Sequence, residues 1–338
     1  MKLYGGIDLH SNNSVVSLLD ENDRLIYEQR LPNELDIILV ELASYREAVV
    51  GLVVESTFNW YWLVDGLMEA GYTVHLSNPA GTKAYEGLKH TDDRHDARWL
   101  AHMLRLGILK QGYIYPKAER AVRDLLRKRA QLVRIQTSQI LSIENLLSRN
   151  TGTRLKSNRI KRLSAEELGE LLEMPEQALA VQSNLAVLKT VMAQIQVLED
   201  EVKAGVKPRG ELKWLKTVAG VGEILGWTIL LESGDIRRFS QVGRYASYCR
   251  CVESKRTSND KKKGENNRKN GNKYLAWAFV EAANFAIRYH DRVKRYYQRK
   301  RARTNGIVAI KACAHKLARA SYYVQRDQVA FDMTKAFG

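Results

Sequence analysis

The sequence predicts an α/β protein: a mixed β-sheet domain with helices packed on it, then a long helical segment, then a mainly α C-terminal region. Three observations carry this. The first 110 residues alternate short apolar runs rich in β-formers with helical patterns, two later stretches repeat apolar residues every seven positions, and the remainder shows amphipathic helical patterns broken by one long polar stretch. The boundaries so implied are 1–110, 111–206 and 207–338. At 338 residues there is length for more than one buried core.

Taken in order, KLYGGID (2–8), SVVSLL (14–19) and LIYEQRL (25–31) read as a three-strand meander, with the polar DENDR (20–24) as a turn. A helix over 34–46, the strand VVGLVVE (49–55), a helix over 58–70, the strand YTVHLS (72–77) and a short helix after Pro79 follow. A further helix runs from Asp93 through Leu100, Met103, Leu104 and Leu106. From Lys117 to about Asn150, Leu126, Val133, Ile140 and Leu147 mark a heptad seam, which Leu188, Ile195 and Val202 repeat after a capping-box pattern at Ser164 and Glu167. Two such helices bury their seams as an antiparallel hairpin or by pairing between subunits. In LKTVAGVGEILGWTILLE (215–232), Gly220 and Gly222 fit a helix-hairpin-helix turn whose amides can hold a phosphate. Residues 254–272 have no apolar period and read as an exposed loop, before Tyr274, Leu275, Phe279 and Ala282 open an amphipathic helix.

Charge divides the chain. Residues 1–110 hold 10 Lys+Arg and 16 Asp+Glu, a net of −6, whereas 111–338 hold 44 and 22, a net of +22. A basic region of that size points to a polyanion, and basic blocks interleaved with aromatics, as in RYHDRVKRYYQRKRAR (288–303), suit nucleic acid better than a membrane surface. No apolar run approaches the roughly 20 residues that span a bilayer, and the N-terminus lacks a signal-peptide pattern, so a cytoplasmic, nucleoid-associated location is expected. Cys249, Cys251 and Cys313, an odd count without a CxxC pair, read as free thiols, with neither disulfide nor zinc.

Asp8 and Glu55 each end an apolar strand, where open α/β sheets place ligand groups. Asp93 and Asp96 stand three apart at a helix start and share a face. Helix capping, with Thr91 or Asp92 as N-cap, accounts for one or two of these aspartates. Gathered together, the four carboxylates would repel one another unless a cation sat among them, and Mg²⁺ is the oxygen-preferring candidate. A pair of such ions is the common device for displacement at a phosphodiester. His10, His90 and His95 read as surface groups or supports for the carboxylates.

GIDLH (6–10), VVES (53–56) and TDDRHDARWLA (91–101) resemble the catalytic motifs of DEDD transposases of the insertion sequence 110 family, relatives of Piv-type DNA invertases. The resemblance implies a RuvC-like, RNase H-type domain in which Asp8, Glu55, Asp93 and Asp96 bind Mg²⁺. One departure is that Thr91 is followed by two aspartates where the family shows Thr-Asp-x-x-Asp-Ala. The DxxD spacing selects Asp93, adjacency to threonine selects Asp92, and Asp93 is taken because it shares a face with Asp96. The C-terminal region is similar to the family's transposase domain in its GxG turn, its GDI-x-RF stretch (234–239) and its KxGN-x-YL motif (269–275). This implies that Ser258 is a nucleophile, with Asn259 in place of the usual glycine and Ser254 lying four residues too early. Lys255, Arg256, Lys261, Lys262, Lys263, Arg268, Lys269 and Lys273 are then the nucleic-acid-binding cations. The resemblance further implies a homo-oligomer, dimer or tetramer, in which the acidic site of one subunit faces the serine of another. It implies covalent attachment to the DNA of element ends and target, and guidance by a structured RNA. A metal-dependent nuclease or Holliday-junction resolvase using water, and a purely structural nucleic-acid-binding protein, are the alternatives.

Overall fold

The computed structural model describes residues 1–79, 92–206, 210–253, 256–264 and 270–338, so the helix expected after Pro79 lies outside the described residues. The chain forms two compact units, Met1–Lys117 and Ala118–Gly338.

In the first unit β1 (Leu3–Leu9), β2 (Asn13–Leu19) and β3 (Leu25–Pro32) form the antiparallel meander. After α1 (Leu35–Ala43), β4 (Val49–Glu55) pairs parallel to β1, and after α2 (Tyr61–Glu69), β5 (Val74–Ser77) pairs parallel to β4. The sheet order is β3-β2-β1-β4-β5. Successive side chains of a strand point to opposite faces. Leu52 and Val54 therefore pack with Ile38, Leu42, Leu63 and Leu67 of α1 and α2, while Val53 packs with Leu100 and Met103 of α3 (Asp93–Arg105). With helices on both faces, β1 and β4 are nearly continuous apolar runs. Gly6 allows the closest approach: a Cβ there would lie 1.9 Å from the Ala97 carbonyl oxygen, so α3 rests directly on β1. Leu106 is the C-cap of α3 and is half exposed rather than part of its apolar face.

The second unit opens with α4 (Lys117–Thr151), followed by α5 (Ala165–Leu171), whose Ser164–Glu167 capping box is present, and α6 (Pro175–Val206). The two long helices run antiparallel within one chain. Ile140, Ile143 and Leu147 pack with Val181, Leu185 and Leu188, the Asn184 amide donates to Ser142 Oγ at 2.8 Å, and Arg129 Nε meets Glu199 Oε1 at 2.6 Å. By length and mean composition α6 could cross a bilayer, although Gln182, Asn184, Lys189 and Gln194 interrupt its apolar residues. Its heptad seam, Leu188, Ile195 and Val202, is buried within the protein instead.

Besides the short turns Ser157–Ile160 and Ile236–Arg238, the remaining elements are α7 (Glu211–Leu215), α8 (Glu223–Ser233), α9 (Val242–Tyr248), the hairpin β6 (Arg256–Ser258) and β7 (Lys261–Gly264), α10 (Lys273–Tyr289), α11 (Asp291–Arg303), α12 (Gly306–Asp327) and α13 (Met333–Phe337). Tyr245, Phe279, Leu317 and Tyr322 centre their core. Gly220 sits at φ +78° with its Cα against α10: a Cβ would be 2.1 Å from the Ala282 carbonyl oxygen. The hairpin corrects the expectation of a loop across 254–272. Asn259 and Asp260 both take left-handed backbone, φ 50° and 57°, which makes the two-residue turn that suits strand twist. Its side chains show no apolar alternation because its described residues are mostly exposed.

Candidate catalytic site

Strand parity assembles the acidic residues. Gly6 faces α3, so Asp8, two residues on, faces the same way, and Glu55 stands to Val53 as Asp8 stands to Gly6. Ile7 pairs with Val54, which brings Asp8 and Glu55 to adjacent strand ends. The first turn of α3 adds Asp93 and Asp96. Asp92 is occupied otherwise: its side chain is the N-cap, accepting from the His95 amide at 2.7 Å.

Asp8 is only 3% exposed. Burial pushes its carboxyl up to about 7, against the pull of His10, and a proton shared with Glu55 plus the charges of Glu55 and Asp96 push the same way. His10 Nε2 stands 3.1 Å from Asp8 Oδ2 and 3.3 Å from Asp93 Oδ1, a buried nitrogen that lines up a hydrogen bond with neither. Ligand atoms of Asp8, His10 and Asp93 all lie within 4.8 Å of one another. Arg30 Nη2 meets Asp93 Oδ2 at 2.6 Å and holds that carboxyl below the usual range, with His10 adding to the effect. A buried carboxylate that cannot comfortably ionise, beside further oxygen donors and an unsatisfied ring nitrogen, is chemically suited to a divalent cation.

Several supports carried no sequence signal. Asn33 and Asn59 each donate to the His10 carbonyl, at 3.0 and 2.9 Å, and fix the turn after β1. Arg30 lies 63 positions from its partner Asp93. His95 stacks on Trp99, and His90 lies outside the described residues.

In the second unit Ser258 ends β6, exposed, opposite Lys261 across the turn. Lys261 and Lys263 are exposed, as is Lys273 at the start of α10; Arg256 and Lys262 lie in the strands. Lys255, Arg268 and Lys269 fall outside the described residues. The two ends of the hairpin-bearing segment are clasped together. Arg250 donates to the Gly271 carbonyl at 2.8 Å, and the Asn272 amide donates to the Tyr248 carbonyl at 2.6 Å. Gly271, φ +87°, has no room for a Cβ, which would lie 2.4 Å from that carbonyl oxygen. Asn272 Oδ1 caps α10 through the amides of Tyr274 and Leu275, while its Nδ2 donates to buried Glu232 at 2.7 Å. Glu232 in turn receives Arg127 of α4 in a bidentate pair at 2.6 and 2.8 Å. The KxGN motif marks Gly271 and Asn272 in the sequence; nothing there links Arg127 to Glu232, 105 positions away.

Residues 5–151 match the profile of the DEDD transposases of the IS110 type, described as a transposase, and residues 212–298 match that of the transposase IS116/IS110/IS902 family. A probable family 20 transposase of Pseudomonas aeruginosa is 26% identical over 243 residues, covering 68% of each chain. The transposase for insertion sequence element IS1111A of Coxiella burnetii is 24% identical over 298 residues, covering 84% of this chain and 78% of its own. The first profile covers the unit that gathers the carboxylates and continues through α4 of the second, the other profile covers the serine hairpin, and with these relatives they place the chain in the IS110 family of DEDD transposases.

Proposed function

We propose that this transposase cuts and rejoins DNA with two sets of groups: the carboxylates of Asp8, Glu55, Asp93 and Asp96, which would hold Mg²⁺, and the hydroxyl of Ser258, which attacks phosphorus. The observation that carries the reading is buried Asp8, whose carboxyl is pushed up to about 7 beside Glu55 and Asp96. Such crowding destabilises a fold unless it serves a ligand. When bound, the ion lowers the barrier by neutralising charge that builds on the phosphate oxygens. Asp8 is buried and so keeps its place as its charge changes, while Arg30 orients Asp93. As the bond from Ser258 Oγ to phosphorus forms, the bond to the leaving sugar oxygen breaks, and the hydroxyl proton passes to a carboxylate and from there to the leaving oxygen. The linkage energy is retained in the protein–DNA ester for rejoining. Lys261, Lys262, Lys263 and Lys273, with Lys255, Arg256, Arg268 and Lys269, are assigned to the phosphates. Both sets must act on one phosphodiester, which is the role of the proposed oligomer. A structured guide RNA is the second nucleic acid for which a net of +22 leaves room.

The test uses supercoiled plasmid bearing the element ends. The parent protein yields a protein–DNA adduct on denaturing gels in Mg²⁺ and none in EDTA. Ser258→Ala retains DNA binding and forms no adduct, and Asp8→Asn forms none either. Strand cleavage by Ser258→Ala at the parental rate would transfer the role of nucleophile to water and make the protein a resolvase-like nuclease.

A further inference from the structure

Helix α11 packs on the second unit through Val293, Tyr296 and Tyr297 and leaves the rest of its surface largely in solvent. Of its thirteen residues only Val293 is buried. Tyr296 fastens it, with its ring edge-on to Phe337 at 5.5 Å and the Lys316 ammonium 5.0 Å from its centroid. At 3.6 residues per turn, Arg292, Arg295, Arg299 and Arg303 fall within an arc of about 80° on one flank, and Lys294 and Arg301 on the other. Asp291, Gln298 and Ala302 lie between the flanks, opposite Val293, and all three are exposed. Arg292 donates to Thr334 Oγ1 at 2.6 Å. Lys294, Arg295, Arg299, Arg301 and Arg303 make no ion pair or side-chain hydrogen bond among the described residues. Cations in a last helical turn offset the macrodipole, which accounts for Lys300, Arg301 and Arg303; Arg292 has Thr334, and Lys294, Arg295 and Arg299 are left unexplained. Like charges at helical spacing repel, so the arrangement calls for an anionic partner with charge on two sides.

We propose that α11 lies in the major groove of duplex DNA, its arginine flank on the phosphates of one strand, Lys294 and Arg301 on those of the other, and Gln298 and Ala302 toward the base edges. Three features fit. A helix with its side chains is roughly 10–12 Å across and the B-form major groove about 12 Å wide. Two basic flanks separated by a strip that carries no cation, with the acidic Asp291 only at the helix start, match two phosphate walls. Glutamine and alanine are groups that meet adenine edges and thymine methyls. The deep, narrow major groove of A-form RNA does not admit such a helix. The inference rests on DNA being the substrate of this transposase and is independent of the acidic cluster and Ser258.

The experiment titrates the full-length protein against a duplex of about 30 base pairs, and against an RNA duplex of the same sequence, from 50 to 200 mM salt. Replacing the four arginines together (R292Q/R295Q/R299Q/R303Q) removes up to four phosphate contacts, and the log–log salt slope on DNA falls by up to about 3.6. The parent then loses roughly 150-fold more affinity than the variant across that range. The matching lysine variant keeps the slope, and binding to the RNA duplex is unchanged in both. An unchanged slope on DNA overturns the proposal, as does an equal loss on RNA, which would make RNA the occupant. Dimethyl sulfate footprinting on the unaltered protein is the second measurement: guanine N7 atoms in the major groove are protected, and absence of protection overturns the placement. The duplex titration needs neither adduct formation nor metal, so failed adduct chemistry and a failed groove assignment are told apart.

Discussion

Replacing Asp8 by Asn should make the metal-free first unit more stable at pH 8 and leave it little changed at pH 4. In the folded protein the Asp8 carboxyl is raised from 3.8 to about 7, chiefly by burial, with Glu55 and Asp96 contributing. Between those values the folded chain binds a proton that the unfolded chain has released, so stability falls as pH rises, by at most about 1.4 kcal/mol per unit. Over roughly three units the loss is on the order of 4 kcal/mol, complete above pH 8 and absent below pH 4. Asparagine carries no charge at either end and removes this dependence. The two units need not unfold together, so the assay is hydrogen exchange followed on peptides of β1 and β4, in EDTA, across pH 4 to 8 with correction for intrinsic exchange. With Mg²⁺ added at pH 8, the parent recovers protection and Asp8→Asn does not. An Asp8→Asn protein that exchanges faster than the parent at pH 8 in EDTA, or keeps the parent's pH dependence, would show that the carboxylates do not crowd one another as described.

Gly6→Ala tests the contact that seats α3 on the sheet: with the Ala97 carbonyl 1.9 Å from the new methyl, the backbone must move, at a cost of about 3 kcal/mol or more. The first unit should lose protection and metal response together while the second unit, followed on α10 peptides, is unaltered. Asn272→Ala removes the cap of α10 and a hydrogen bond to buried Glu232, a combined loss of about 2–4 kcal/mol in the second unit. Adduct formation should fall with DNA affinity kept, and parental adduct yield would show that the clasp does not position the serine segment.

Much of the first unit was legible because its period changes where its structure changes. The runs at 2–8, 14–19, 25–31 and 49–55 become strands within two residues of those limits; in β1, β2 and β4 apolar side chains on both sheet faces make the runs nearly continuous, whereas the edge strand β3 is mostly exposed or half-buried. The heptads at Leu126 and Leu188 foretold two long helices for the same reason, and the choice between a hairpin and intersubunit pairing fell to the contacts of Ile143 and Leu147 with Val181 and Leu185. The hairpin at 256–264 was missed because a strand pair with exposed sides has no hydrophobic period, and only its left-handed Asn259–Asp260 turn marks it.

Sequence alone determined which residue types were available: carboxylates at strand ends and a helix start, a basic second half, and the motifs that resemble the family. Tertiary structure decided which of them meet. Parity along β1 and β4, together with a glycine that lets α3 touch the sheet, turns separations of tens of residues into contacts of a few ångströms. It also set Asp92 to capping, Asp93 to His10 and Arg30, and Asn272 to Glu232. The reason is physical: composition and period report what each segment can bury, whereas the approach of two charged groups depends on the backbones that carry them.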